Sequence, residues 1–248
     1  METVAFTQMK DGTKAEYEML TQLETDFAKE LPDRLLKCLR DLEHSLSGYK
    51  VSRLAHSLQT ACRAEDAGAD EEMVVAALIH DLGDELAPYN HSQYAASILR
   101  PYVRPEVTWV INYHGLFQNY YYVHFFGGDR NERDLYKDHP YYESCVRFCE
   151  EWDQSSFDPD YPTRPLEHFE PMVRRIFTRP AFDQKYVGLS RGVAFRPLLR
   201  KFEPSVKCLG HRLVERAAAH RLVTNVLLIE CWSSEVSKRK VSRWIPPY

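Results

Sequence analysis

Apolar residues recur every three or four positions over most of the first 180 residues, the spacing of a single buried face on an α-helix. Sustained alternation of apolar and polar positions, which a half-buried strand requires, does not occur. We therefore predict an all-α fold. The predicted helices, by residue range, are 14–31, 33–48, 51–67, 71–82, 91–99, 104–116, 140–153 and 166–177, followed by a further helix at about 206–232.

Residues that favour helix starts precede several of these segments. Thr13 and Glu16 form the capping-box pattern, and Asn90 is a suitable N-cap for the segment after it. Pro140 suits the first turn of a helix. On that helix Cys145, Cys149 and Asp153 are four residues apart, so the pattern places Asp153 on the inward-facing stripe.

One stretch departs from the helical pattern. The run 117–126 is rich in aromatic residues, and Gly127, Gly128 and Asp129 follow it with a charged stretch. Glycine and aspartate in such clusters are typical of turns. We therefore end the preceding helix at 116 and interpret 127–139 as a loop.

Charge divides the chain into two parts. Residues 184–248 hold 13 Lys and Arg against 4 Asp and Glu, although the whole chain has a net charge of -4. Such a basic segment can indicate contact with nucleic acid or a membrane, but docking on its own acidic body explains it equally well. We predict a helical or irregular basic C-terminal extension at 184–248, with no nucleic-acid partner expected and no role indicated.

Targeting signals are absent from the sequence. It has no signal-peptide pattern and no apolar run long enough for a transmembrane helix. Its six cysteines show no CxxC spacing, and without a secretion signal they are expected to be reduced. We predict a cytoplasmic protein that does not enter the membrane.

Candidate metal ligands centre on the stretch Leu78–Gly83, in which His80 and Asp81 are adjacent. Adjacent helical residues diverge by about 100°, so the pair can address two points of one site. The other candidates lie on predicted helices or at their ends: His56, His91, His114 and Asp153. Four imidazoles and two carboxylates suffice for two metal ions, and these donors suit Fe, Mn, Zn, Ni or Co better than Mg or Ca.

The segments 51–59 and 76–83, followed by His91, His114 and Asp153, resemble the HD-domain superfamily. The resemblance covers about residues 14–180. It is closer to the mixed-valent diiron oxygenase branch, which includes myo-inositol oxygenase and the organophosphonate-cleaving oxygenases. This implies an HD-domain helical bundle, with residues 1–183 as the metal-binding catalytic domain.

The resemblance also implies roles for the ligands. His56, His80, Asp81 and Asp153 would complete the shell of one metal ion, and Asp81 would bridge to a second ion held by His91 and His114. The implied cofactor is an Fe(II)/Fe(III) pair, with other divalent transition metals as alternatives. The implied reaction uses O2 to oxidise and cleave a C–C or C–P bond of a small hydroxylated substrate. Nothing in the sequence indicates the oligomeric state.

The substrate-binding positions depart from those of the named oxygenases. Asp84 stands where myo-inositol oxygenase has a lysine, and Gln118 where the phosphonate enzymes have a lysine. Leu46 and Tyr49 replace a tyrosine and a glutamate of the phosphonate enzymes. Neither known substrate therefore follows from the resemblance.

Segments expected to border the metals offer replacements. Tyr49 is the candidate second catalytic residue beside Asp81, because its phenol could cover an open metal position. The substrate-binding candidates are Arg53, Asp84, Gln118 and Arg164. Arg164 could fork onto a carboxylate or phosphonate, although a solvated or ion-paired loop arginine is the plainer interpretation. Further candidates with weaker support are Asn90, Tyr121, His124 and His168.

Two other functions fit the same ligands. The first is a metal-dependent HD phosphohydrolase, in which the two ions would activate water against a phosphate ester or nucleotide. Such an enzyme is expected to have several cations near the metals, and Arg53 and Arg164 are the only obvious candidates. The second is a metal-stabilised module without catalysis, which requires a closed site with no adjacent pocket.

Overall fold

The computed structural model of the 248-residue chain describes residues 3–188, and within this range it is helical without strands, which confirms the predicted all-α class. Its helices are α1 Lys14–Lys29, α2 Leu31–Asp41, α3 Arg53–Asp66, α4 Glu71–Ile79, α5 His91–Leu99, α6 Pro105–Tyr122, α7 Tyr142–Arg147, α8 Leu166–Phe177 and α9 Gln184–Val187. The predicted helix at 206–232 and most of the 184–248 extension lie outside the described residues. The domain division at 183 stays a prediction.

Helix α4 forms the centre of the core. All its residues from Met73 to Ile79 are buried, and it packs against α3, α6 and α8. A helix that is apolar all round is stable only when other elements cover every face. Each large buried side chain contributes about 1.5–3 kcal/mol. This helix therefore fixes the position of the His80–Asp81 pair, which comes directly after its last turn.

Local capping explains where the helices begin. The Thr13 and Glu16 side chains form the complete capping box of α1. Ser52 accepts from the backbone N–H of Ala55 at the start of α3, and Asp70 caps α4 in the same way. These bonds satisfy amide groups that have no partner inside the helix.

Two helices end earlier than predicted. Helix α2 stops at Asp41, and a 3-10 turn and an irregular segment replace its predicted last two turns. Helix α4 stops at Ile79, so His80 and Asp81 lie just beyond the helix and not on it. Departure from the helix frees Asp81 to turn towards side chains from several elements.

Helix α6 is longer than predicted. It continues through Tyr122, so the predicted end at 116 was wrong; residues 123–139, which include the predicted loop, consist of 3-10 turns and irregular segments. Phe117 packs in the core and anchors the added turns. Among residues 3–188, no helix combines the length and apolar character needed to cross a membrane.

The helix predicted from Pro140 contains an irregularity. Helix α7 gives way at Phe148 to a π-turn, Phe148–Asp153. Its backbone hydrogen bonds join residues five apart, whereas those of the expected α-helix join residues four apart. Asp153 is nonetheless buried on the inward face, at 2% exposure. Single π-turns inside helices occur frequently at functional sites, where they redirect a side chain.

Candidate metal centre

Five elements meet at one cluster of donors. Helix α3 supplies His56, the turn after α4 supplies His80 and Asp81, α5 begins with His91, α6 carries His114 in its middle, and the π-turn ends with Asp153. All six are buried except His91, which is partly exposed. They form three overlapping triads in which the potential ligand atoms lie within 4.8 Å of one another.

One half of the cluster surrounds Asp81 Oδ2. The Nε2 atoms of His56 and His80 each lie 3.2 Å from this oxygen. The same two nitrogens lie 3.3 and 3.5 Å from Asp153 Oδ1. Ligands bound at about 2.1 Å to one ion lie about 3 Å apart, so this spacing suits a single cation.

The other half surrounds the second oxygen of the same carboxylate. His91 Nε2 lies 3.5 Å and His114 Nε2 3.4 Å from Asp81 Oδ1. Asp81 therefore presents one oxygen to each group of histidines. This is the arrangement of a carboxylate that bridges two metal positions.

Backbone carbonyls orient the imidazoles. The Nδ1 atom of His56 contacts the carbonyl of Ser156, and those of His80 and His114 contact carbonyls three residues earlier, at 2.7–2.9 Å. Because a carbonyl only accepts, Nδ1 must carry the proton, and in a neutral ring Nε2 keeps its lone pair. This is the orientation that metal-binding histidines require.

The electrostatic field of the cluster favours positive charge. Burial opposes protonation of His80, yet the carboxylates of Asp81 and Asp153 outweigh it and raise its pKa well above the usual value. Burial likewise opposes ionisation of Asp153, but the His80 and His56 imidazoles lower its pKa. The site therefore stabilises a cation at this point.

Within the cluster, one buried carboxylate oxygen has no hydrogen-bond partner among the described residues. Asp153 Oδ2 is inaccessible to solvent and makes no hydrogen bond with any of the described residues. An unsatisfied buried carboxylate oxygen is costly unless a cation or water meets it. Together with the three oriented imidazoles and that of His91, this oxygen fits a first-row transition metal better than Mg or Ca, which prefer all-oxygen shells.

The donors open onto a cavity of about 300 Å³. His56, Asp81, His91, His114 and Asp153 form part of its wall. A purely structural metal site is closed by its ligands, whereas catalytic sites keep positions open to a pocket. The cavity therefore leaves room for a small molecule beside the metal positions.

Several predicted site residues border this cavity. Tyr49 lies at its wall, 53% exposed and stacked on Phe157 at 5.0 Å, and Gln118 and Tyr121 also face it. Arg53 lines it too, but its guanidinium bonds Asp81 and Asp84.

Other candidates lie elsewhere. Arg164 pairs with Asp66 and Glu65, as expected of an ion-paired loop arginine, and it does not line the cavity. His168 also contacts Glu65. Asn90 and His124 are likewise not part of the cavity wall.

The sequence interpretation gave little weight to three cavity residues. Phe157 stacks on the His56 imidazole at 4.3 Å between centroids, and Gln154 also lines the cavity. Tyr122 also lines the cavity; burial, the Tyr49 phenol and the carboxylates of Asp153 and Asp81 raise its pKa. Tyr122 could line a pocket mouth on its sequence position too, although packing explained it equally well; the longer α6 places it about two turns after His114.

Gly83 allows α5 to approach the centre. A Cβ at this position would lie 2.8 Å from the Cα and 3.0 Å from the carbonyl oxygen of His91. Because backbone cannot yield as a side chain does, we expect Gly83→Ala to displace the start of α5 and lower stability by about 1–3 kcal/mol. Elemental analysis should find that the position served by His91 is lost and that about one ion per chain remains.

Gly12→Ala is the matched control, because Gly12 lies outside the metal cluster and the cavity wall. Its Cβ would approach the end of the Tyr17 side chain at 2.6–2.7 Å, and a side chain can yield where backbone cannot. We expect this variant to keep the metal content of the unaltered protein. Equal metal loss in the two variants, or none in Gly83→Ala, would contradict the role given to Gly83.

No curated protein matches the sequence in a search of known proteins. A match to protein families does occur, and it coincides with the centre described above. The matched range includes Arg53 and five of the six clustered donors, and it ends before Asp153. The HD domain is generally a metal-dependent enzyme domain, and residues 53–145 of this chain match the HD domain family.

Proposed function

We propose that the protein is a non-haem diiron oxygenase that uses O2 to oxidise and cleave a small hydroxylated substrate. The observation that carries the proposal is the single carboxylate, Asp81, that faces two groups of histidines beside an open cavity. His56, His80 and Asp153 would hold one iron ion with Asp81, and His91 and His114 would complete the second position. When bound, the two ions would supply electrons and activate dioxygen.

The cavity charge supports an oxygenase over a phosphohydrolase. Among the described lining residues the only Arg or Lys is Arg53, and two carboxylates already neutralise it. Phosphoryl transfer usually needs cations that offset the charge developing on the phosphate. The remaining wall consists largely of phenol, amide and phenyl groups, which suit an uncharged or weakly charged organic substrate.

Chain residues would bind and orient this substrate. The Gln118 Oε1 atom is buried and has no hydrogen-bond partner among the described residues, so it is available to accept from a substrate hydroxyl. Tyr49 and Tyr122 would flank the cavity at its exposed side, where their rings reduce access of water. Tyr49 remains the candidate for a phenol that covers an open metal position.

Metal content and oxygen consumption test the proposal. Protein expressed in iron-rich medium should contain about two irons per chain, and partial reduction should give a mixed-valent signal in low-temperature electron paramagnetic resonance. Small hydroxylated compounds that bind should change this signal, and the productive ones should cause O2 uptake. Asp81→Ala serves as the control for O2 uptake that does not depend on the metal centre.

The alternative has a distinct outcome. Zinc or manganese in place of iron, together with oxygen-independent hydrolysis of a generic phosphate ester, would overturn the oxygenase and support the phosphohydrolase. A protein that binds metal but neither consumes O2 with the hydroxylated compounds nor hydrolyses the phosphate ester would also count against the proposal.

A further inference from the structure

A buried arginine lies against the carboxylate at the centre of the site. Arg53 is 8% exposed and begins α3, one turn before His56. Its Nε donates to Asp84 Oδ2 at 2.7 Å, and its Nη2 lies 2.6 Å from the same oxygen. Nη2 also donates to Asp81 Oδ2. Nη2 thus contacts both carboxylates, and Nε adds a second bond to Asp84.

The second oxygen of Asp84 continues the chain of contacts. Asp84 Oδ1 lies 3.6 Å from His91 Nδ1, and His91 Nε2 lies 3.5 Å from Asp81 Oδ1. The contacts therefore form a closed ring that starts at one oxygen of Asp81 and returns to the other. Arg53, Asp84 and His91 are its three intermediate members.

This ring constrains the rotation of the Asp81 carboxylate. With Oδ2 bonded to Arg53, Oδ1 is turned towards His91 and His114. His91 is otherwise weakly held, since its Nδ1 contact with the Pro88 carbonyl is 3.5 Å long. Asp84 is thus a second carboxylate able to orient the His91 imidazole, as carboxylates do for metal-binding histidines.

We propose that Arg53 and Asp84 are a positioning pair that holds the Asp81 carboxylate across the two metal positions and orients His91 for the second. The inference rests on the dinuclear site of the proposed function, but not on its oxygen chemistry. It gives both residues a role towards the metal ligands in place of substrate binding.

Stability alone does not explain the pair. Removing two charges from water largely offsets the attraction between them, so a buried ion pair is weak evidence for a stabilising role. Arg53 instead balances charge, because the buried Asp81 and Asp153 and the partly buried Asp84 would otherwise be three neighbouring carboxylates without a fixed cation. The guanidinium supplies that charge in a fixed forked geometry, which lysine cannot reproduce.

Titration with Co²⁺ tests the pair, because its absorption spectrum reports the ligands of each ion added. The variants are Arg53→Met, Asp84→Asn and the double substitution. We expect each single variant to bind the first ion normally and the second roughly 10- to 100-fold more weakly. The double variant should be no weaker than the weaker single one, because the two residues act as a unit.

Two controls separate positioning from folding. Arg104 also bonds several carboxylates, Asp70, Glu72 and Glu106, away from the cavity, so Arg104→Met should bind both ions normally. Circular dichroism of the metal-free proteins checks the fold. If Arg53→Met does not fold, Arg53→Lys keeps the charge without the fork and should still weaken the second ion.

The outcomes are distinguishable from failure of the proposed function. Normal binding of both ions by the single variants, equal loss of both ions, or additive effects in the double variant would overturn the positioning pair. Fewer than two ions on the unaltered protein would overturn the dinuclear site itself. Two ions without oxygenase activity would overturn only the proposed reaction.

Discussion

Replacement of Asp81 by alanine is expected to abolish stoichiometric metal binding at both positions. Its two oxygens face different groups of histidines. The substitution therefore leaves the position of His91 and His114 with only these two imidazoles, and it removes a charged ligand from the position of His56 and His80. His114→Ala should reduce the content only from two ions per chain to one, because His114 contacts only Oδ1 of Asp81. Elemental analysis after dialysis measures both contents.

The controls for this prediction address folding and surface charge. Arg53 retains Asp84 as a partner in Asp81→Ala, so the helical content should persist in circular dichroism. Glu85→Ala removes an exposed carboxylate nearby and should bind two ions. Two ions retained by Asp81→Ala would remove the bridging role, as would loss of both ions from His114→Ala with loss of only one from Asp81→Ala.

Local sequence signals were sufficient for much of the fold. Capping residues such as Thr13 and Asp70 satisfy the first amides of their helices without help from distant residues, and both helices begin where the pattern predicts. Helix ends were harder to predict. Where α4 ends depends on how its last turn meets the donors from other helices, which no local pattern records.

The aromatic run after His114 shows how composition can mislead a prediction. Phe117, Tyr121 and Tyr122 are clustered and a glycine pair follows them, which is the composition of a loop. At helical spacing, however, Gln118, Tyr121 and Tyr122 continue the face that carries His114, and this face borders the cavity. The spacing was therefore present in the sequence, but composition received more weight than spacing.

The candidate site depended on a different kind of information. The six donors were selected because each lies on a predicted helix or at its end, and a family resemblance then supported the choice; the structure brings them into one cluster. The bond between Arg53 and Asp84 joins residues 31 positions apart, and neither sequence spacing nor the resemblance indicated it. Such contacts follow from packing of α3 against α4, which a single sequence does not specify.

Phe148→Ala is expected to destabilise both the core and the metal centre. Phe148 is fully buried and meets the rings of His80 and His114 edge-on, at 5.7 and 6.1 Å between centroids. Removing its ring should lower the free energy of unfolding by about 3–5 kcal/mol. Phe169→Ala is the matched control.

This control removes an equally buried ring that contacts the exposed His168, so the free energy of unfolding of the metal-free protein should fall by a similar amount. Urea unfolding with and without metal separates the effect on the core from the effect on the metal centre. Added metal should stabilise Phe169→Ala as much as the unaltered protein, and Phe148→Ala much less, because the His80 and His114 imidazoles are no longer supported. Equal stabilisation of both variants would show that Phe148 serves the core alone.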